Sequence, residues 1–260
     1  MQKVKAKKHL GQHFLVDKEI TEKIAAITES KVFNKIIEIG PGMGVLSQIL
    51  YQKYADKLYC IEIDTESVAY LKNANWAKGL NIVEGDFLSI QENVLFDTEN
   101  MAVLGNYPYN ISTEIAFKII ANRSRVAFFG GMFQKEVALR LCAKHGNKEY
   151  GITSVMLQAY YDCEYLFSVD ENAFQPPPKV KSGVMRCIRK ENQEDCDYQS
   201  LRVVVKTAFS QRRKTLANAL KPLTSSKPGF QIPEMWQTLR AEQLSVQDFI
   251  RLAKIWENSK

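Results

Sequence analysis

The sequence predicts an α/β fold: a mostly parallel sheet with helices on both faces, followed by a small helical domain. Three observations predict it. Short β-branched runs alternate with helically spaced segments from Lys35 onward, the rhythm that builds parallel sheets. A glycine-rich turn, Gly40-Pro41-Gly42-Met43-Gly44, separates the first of these runs from the segment after it, as in a βαβ unit. Beyond Lys190 the chain turns polar and acidic from Glu191 to Asp197, and only helical spacing follows. The expected domains are therefore residues 1–190 and 191–260.

Taken in order, Lys35–Ile39 reads as a strand, Val45–Tyr54 as a helix and Leu58–Ile63 as a second strand. Further strands are expected at Asn81–Val83, Met101–Leu104, Val126–Phe129, Cys163–Val169 and Val184–Ile188. Helices are expected near Asp17–Ile27, Ser112–Ala121, Gln134–Ala143 and Ile152–Tyr160. The tail reads as helices at about 198–209, 212–220 and 245–257, with a Pro/Gly/Ser loop at Thr224–Gly229.

Composition narrows the function classes. With 45% hydrophobic and 25% charged residues, the 260-residue chain matches ordinary globular usage, not a collagen-like, disordered or disulfide-scaffold protein. Its longest apolar run, Val126 to Phe133, falls far short of the roughly 20 residues that cross a bilayer. Lys3, Lys5, Lys7 and Lys8 resemble the charged start of an export signal, but Gln12, His13, Asp17 and Lys18 interrupt the apolar stretch that should follow. Five widely spaced cysteines without Cys-x-x-Cys indicate neither a disulfide framework nor a zinc site. Reduced thiols, a cytoplasmic location and no metal are the expectation, and nothing demands more than a monomer.

The net charge of +6 is concentrated at the ends: the first ten residues carry +4, residues 11–197 carry −5 and residues 198–260 carry +7. Two cationic ends around an acidic body suggest a polyanionic partner gripped at the ends. A solvated basic face is the plainer alternative.

A glycine turn leaving the first strand lets a ligand approach the backbone at the carboxyl end of the sheet. Gly40, Gly42 and Gly44 run G-x-G-x-G, with Val45 where a dinucleotide fingerprint needs its third glycine. Glu62 ends the next strand, where a carboxylate can accept from both hydroxyls of a ribose. Asp86 follows the third, placed to accept an exocyclic amine while Phe87 packs on a purine. Each feature alone has a structural reading, a turn or a helix cap. Their order along consecutive strands points to S-adenosylmethionine, a nucleoside cofactor without a pyrophosphate.

Asn106-Tyr107-Pro108-Tyr109 follows the Met101–Leu104 strand. The exocyclic amine of adenine is a poor nucleophile because its lone pair is delocalised into the ring. The Asn106 side-chain oxygen and the Pro108 carbonyl can each accept one of its N–H hydrogens, which favours a tetrahedral nitrogen. Tyr109 can stack on the base, and Tyr107 is expected to face the core. Positioning then meets much of the barrier without a strong general base. A plain β-turn is the alternative reading.

Several segments together resemble the bacterial rRNA adenine N6-dimethyltransferase family: Leu10-Gly11-Gln12-His13-Phe14-Leu15, Glu38 to Gly44, Gly105 to Ser112, Phe133-Gln134-Lys135-Glu136-Val137, Phe174 to Val180, and Phe209 to Thr215. The matches run from about residue 9 to 220 and are closest to the branch that dimethylates two neighbouring adenosines in a hairpin loop near the 3′ end of small-subunit rRNA. A sister branch modifies large-subunit rRNA and gives macrolide resistance; Tyr109-Asn110-Ile111-Ser112 and Gln211-Arg212-Arg213-Lys214 resemble it less. The resemblance implies a Rossmann-like S-adenosylmethionine-dependent methyltransferase fold. It implies cofactor contacts from His13, Leu15, Gly40, Gly42, Glu62, Asp86 and Asn106, with His13 standing where the family often has Asn. It implies Asn106, Pro108, Tyr109 and Phe174 at the reacting base, Phe174 stacking opposite Tyr109 from a proline-stiffened loop. Arg212, Arg213 and Lys214, expected to open a helix, would neutralise rRNA phosphates without reading bases. The substrate expected is rRNA within an immature small ribosomal subunit, clamped by the helical domain and the basic N-terminal arm. A non-catalytic subunit-assembly factor and a DNA adenine methyltransferase are the competing classes; the second usually carries Asp where this chain has Asn106.

Overall fold

β-Branched and apolar runs dominate the strands at the centre of the sheet. Lys35–Ile39 and Met101–Gly105 are buried along their whole lengths, as strands covered on both faces must be. The computed structural model describes residues 4–28, 32–192 and 196–259; Lys3 and the middle of the expected acidic junction lie outside the described residues. Two compact units divide the chain, Met1–Ala138 with Cys163–Arg189, and Leu139–Asp162 with Lys190–Lys260. The break at Lys190 coincides with the composition change, whereas Leu139–Asp162, expected within a domain 1–190, groups with the tail because its helix packs on tail helices.

The first unit runs β1 (Phe14–Leu15), α1 (Lys18–Ala26), β2 (Lys35–Ile39), α2 (Val45–Tyr54), β3 (Leu58–Glu62) and α3 (Thr65–Lys72). It continues with β4 (Asn81–Glu84), α4 (Glu92–Leu95), β5 (Met101–Gly105), α5 (Ser112–Ala121), β6 (Val126–Gln134) and the start of α6 (Lys135–Cys142). After most of β7 (Tyr161–Val169), it closes with β8 (Phe174–Gln175) and β9 (Ser182–Arg189). The seven-stranded sheet has the order β4-β3-β2-β5-β6-β9-β7. Pairing is parallel from β4 through to β6, and β9 lies antiparallel to β6. β1 and β8 form a separate antiparallel pair.

α1 begins where Asp17 accepts the Ile20 N–H at 3.0 Å, and α3 where Asp64 accepts from Glu66, both N-caps of the expected kind. α3 and α4 were not expected from the periodicity: eight and four residues are too few turns for an apolar stripe to stand out. β6 runs to Gln134, past the expected end at Phe129, because Gly130 and Gly131 stay in register with β9. Gly131 has φ +135°, and a Cβ there would run into the Gly105 backbone. β6 therefore hugs β5 where the chain leaves the sheet at Asn106.

Cys163 on β7 and Cys187 on β9 face each other with Cα atoms 4.2 Å apart and are joined as a disulfide. The expectation of five reduced thiols is thus corrected: neighbouring strands bring together residues whose spacing gave no sign of it. Among the described residues no helix is long and apolar enough to cross a membrane.

The second unit is helical: α7 (Ile152–Gln158), α8 (Tyr198–Ser210), α9 (Leu216–Ala219), α10 (Lys221–Ser226), α11 (Glu234–Gln237) and α12 (Val246–Asn258). Asp197 caps α8 through the Ser200 N–H at 2.7 Å, and Ser245 and Asp248 form a capping box on α12. α8 packs against α7 and α12, burying Leu201, Val204, Val205, Phe249 and Leu252. Two tail expectations are corrected. Gln211–Lys214 is a turn and the helix begins only at Leu216, while the Thr224–Gly229 loop gives its first half to α10.

Candidate active site

Parallel strands direct their carboxyl ends, and the loops that follow them, to one edge of the sheet. There a cleft is lined by residues 10–15, 38–43, 45–46, 61–63, 85–88 and 106–111. β3 and β5 flank β2 on opposite sides, so the loop after β2 sits at the topological switch point, where open α/β sheets bind ligands. His13, Leu15, Gly40, Gly42, Glu62, Asp86, Asn106, Pro108 and Tyr109 all line this one cleft. Phe174, Arg212, Arg213 and Lys214 do not.

Gly42 adopts φ +56°, and a Cβ there would meet the Phe14 ring at 2.9 Å. The turn is therefore tight for two reasons, its own left-handed backbone and the aromatic ring resting on it. Its Gly42 N–H donates to Glu62 Oε2 at 2.9 Å, and the Asp64 N–H donates to Glu62 Oε1 at 2.9 Å. These bonds fix the carboxylate and leave each oxygen a further lone pair. Burial pushes the Glu62 carboxyl up, opposed by these backbone donors. Glu38, deeper in the cleft, is raised to about 7 by burial and accepts a weak bond from the Cys60 thiol at 3.5 Å.

Asp86 is turned toward its own loop: Oδ1 accepts the Leu88 N–H at 2.9 Å and Oδ2 the Ser89 hydroxyl at 2.8 Å. It serves as a turn cap while lining the cleft. Phe87, expected to stack on a purine, is 2% exposed, packed edge-on to Phe96 and under Lys118. That expectation is corrected, since the ring is committed to the core. Ile63, which in sequence is only the end of an apolar strand, has a second role. It lines the cleft beside Glu62 and is 49% exposed, an apolar face open to a flat ring. Its signal was position, one residue past the strand-end carboxylate.

At the other side of β2, Asn106 Nδ2 donates to the His13 carbonyl at 3.0 Å. With the amide nitrogen so engaged, Oδ1 is left as the acceptor. The Pro108 carbonyl already accepts the Ile111 N–H at 3.2 Å and keeps one lone pair. Tyr107 faces the core as expected, 1% exposed, its hydroxyl donating to Gly130 O at 2.7 Å. Tyr109 is held by a hydroxyl contact of 2.5 Å with Ser182, itself fully buried, and burial raises its phenol. The His13 ring stacks on Tyr109 with centroids 5.6 Å apart, and its Nδ1 lies 2.9 Å from Pro176 O. Ser182 and the His13 carbonyl were not singled out from sequence; a backbone oxygen has no side-chain signature, and a serine opening an apolar strand has a weak one.

Phe174 requires a correction. It pairs with Leu15 across the β1/β8 ladder, is 4% exposed and belongs to the core cluster with Val169 and Ala173. The short ladder turns the ring inward, into that cluster and out of the cleft lining. In the second unit, Arg212 is engaged by its own fold while staying partly exposed, its Nε 2.7 Å from Glu242 Oε2 and its guanidinium bonded to Lys148 O. Arg213 and Lys214 are exposed.

The family model described as "Ribosomal RNA adenine dimethylase" matches residues 3–258. The chain is 50% identical to the ribosomal RNA small subunit methyltransferase A of Flavobacterium johnsoniae, over 98% of this chain and 97% of that one. It is 48% identical to the protein of the same name from Cytophaga hutchinsonii, over 98% of each chain. The fold is similar to the crystal structure of a dimethyladenosine transferase from Plasmodium falciparum, with TM-score 0.79 and 25% identity over 92% of this chain and 96% of that one. It is also similar to the 23S rRNA methyltransferase ErmE, with TM-score 0.71 and 20% identity over 94% of this chain and 100% of that one.

Proposed function

The chain belongs to the ribosomal RNA adenine dimethylase family, and on that footing we propose that its cleft binds S-adenosylmethionine and dimethylates adenosine N6 in small-subunit rRNA. The substrate we infer is a pair of adjacent adenosines in a hairpin loop near the rRNA 3′ end, met within an immature subunit. The lining suits the cofactor: the Gly40 to Gly42 turn brings bare backbone to the cleft, Glu62 retains acceptor capacity for a ribose, and Ile63 offers an apolar wall. When bound there, the cofactor supplies an electrophilic methyl on a sulfonium.

The observation that carries this reading is the amide of Asn106, pinned by the His13 carbonyl at 3.0 Å in the same cleft as Glu62. A pinned Nδ2 leaves Oδ1 with one orientation and no reorganisation to make during reaction. Oδ1 and the Pro108 carbonyl each accept one N6–H, drawing the amine toward a tetrahedral geometry with its lone pair free for attack. Tyr109, braced by Ser182, offers its face to the base. With N6 held by these two acceptors, the proton that the amine gives up on methylation would pass to water. No general base is needed beforehand. Repetition on the monomethylated amine asks the same two acceptors to orient one remaining N–H.

Incubation of unmethylated small subunits with labelled cofactor, followed by mass spectrometry of the rRNA 3′ region, tests this directly. Paired dimethyladenosines are expected with the wild type, and their rate of appearance should fall about a hundredfold or more with Asn106→Ala. Incorporation into large-subunit rRNA or DNA alone would overturn the substrate, and binding without incorporation would leave a non-catalytic assembly factor.

A further inference from the structure

The segment from Lys7 to Leu15 forms a strap that lines the cleft and is fastened at both ends. At its far end, Phe14 and Leu15 pair with Gln175 and Phe174, and the Val16 N–H donates to Ala173 O at 2.8 Å. In the middle, the His13 carbonyl holds Asn106 and the Phe14 ring rests on Gly42. At its near end, Lys7 Nζ lies 2.5 Å from Asp64 Oδ1 and 3.1 Å from Glu66 Oε1. Gln12 closes the loop: its Nε2 donates to Asp64 Oδ2 at 3.2 Å and its Oε1 accepts the Lys7 N–H at 2.8 Å.

Asp64 is what makes this fastening more than a surface ion pair. Its side chain is 1% exposed, and a carboxylate so buried requires countercharge and donors. Lys7 gives the charge, while Gln12 and Ser67 give hydrogen bonds. The backbone N–H of the same residue donates to Glu62, the carboxylate read above as the ribose acceptor. One residue thus joins the strap to the floor of the cleft. The neighbouring cations behave otherwise, Lys5 and Lys8 being exposed.

We propose that Lys7 is a positioning residue of the cofactor site: it straps residues 10–15 against Asp64 and thereby against Glu62, and it is not one of the phosphate contacts of the basic arm. The inference rests on the reading of the cleft as an S-adenosylmethionine site. Without Lys7 the near end of the strap must be ordered on each binding event, so the apparent affinity falls by the fraction of molecules in the competent state.

The experiment uses the full chain, with sinefungin, a cofactor analogue that has no transferable methyl, titrated by calorimetry. Lys7→Met is expected to weaken sinefungin about five- to tenfold, the range of a hydrogen-bonded, partly shielded ion pair, and Lys7→Arg to recover most of that loss. Raising the salt should change sinefungin binding little in either protein, because a direct pair on a buried carboxylate is screened much less than an exposed one, while KM for the rRNA substrate stays the same. Lys5→Ala with Lys8→Ala should give the opposite pattern, weaker RNA and unchanged sinefungin. Equal sinefungin affinity in Lys7→Met and wild type, or a loss confined to RNA, would overturn the proposal. A wild type that does not bind sinefungin at all would overturn the cofactor reading itself, and the strap with it.

Discussion

Two cationic segments, Lys5 to Lys8 near the start and Arg212 to Lys214 in the helical unit, look alike in sequence, and both ends of the chain are expected to grip rRNA. Each divides its charges in the same way. Lys7 pairs with Asp64, 57 residues away, and Arg212 with Glu242, 30 residues away, while Lys5, Lys8, Arg213 and Lys214 face solvent. A run of positive charge therefore does not define a binding footprint. The carboxylate that each cation meets in the fold decides which serve structure and which are left for a partner.

If inward-facing polar groups govern catalysis and stability while outward ones govern RNA affinity, the sharpest test is the innermost amide. Asn106→Ala should lower kcat about a hundredfold or more, the usual loss for one preorganised group, with near-wild-type thermal unfolding; methyl incorporation into unmethylated subunits measures it.

Next in size is Glu38, buried with a thiol beside it instead of a cation such as Lys7. Its pKa is raised from 4.5 to about 7 by burial. The folded state therefore holds a proton that the unfolded chain releases, and the stability tied to it is full below about 4.5 and lost as pH rises to about 7. Thermal melts of the wild type should fall across that window by on the order of 2 to 3 kcal/mol, and Glu38→Gln should flatten the profile. Asp64 runs the other way: burial would raise it, but hydrogen bonds from Lys7, Gln12 and Ser67 hold it below the usual range. Its contribution is lost only as the pH falls through that lowered value.

On the outward side, replacing Arg213 and Lys214 together by Ala should weaken rRNA binding about tenfold and lower the salt slope by about 1.4, two contacts at roughly 0.7 each for single strands, with unchanged melting. Filter binding across a salt series reads both. The smallest effect expected is that of Arg212→Ala: a partly exposed pair worth about 1 kcal/mol or less, seen as a lower melting temperature with RNA affinity kept. If Arg212→Ala instead matched the double variant in RNA binding, the inward and outward distinction would fail.

Much of the first unit was legible because its signals are local. β2 and α2 run from Lys35 to Ile39 and from Val45 to Tyr54, as their periodicity and the glycine turn between them predict. The cleft residues are legible for a related reason: in a parallel sheet every strand-end loop reaches the same edge, so Gly40, Glu62, Asp86 and Asn106 converge once the strand order is right. Contacts between distant segments were not legible. Phe174 has a wedge-like sequence context, three prolines after an aromatic, yet a two-residue ladder with Leu15 turns it into the core. Phe87 is claimed by Phe96 and Lys118, and Arg212 by Glu242. In each case the deciding partner lies far along the chain or in a segment without a motif of its own.

The anchor of Asn106 is a main-chain oxygen, which every amino acid carries. Position 13 can therefore change its side chain without removing the oxygen that holds that amide. The vulnerable quantity is arc length. Removing or inserting a single residue between Lys7 and Phe14 would shift that oxygen away from Asn106 or unseat the β1/β8 ladder, so the segment should accept many spellings and very few changes in letter count.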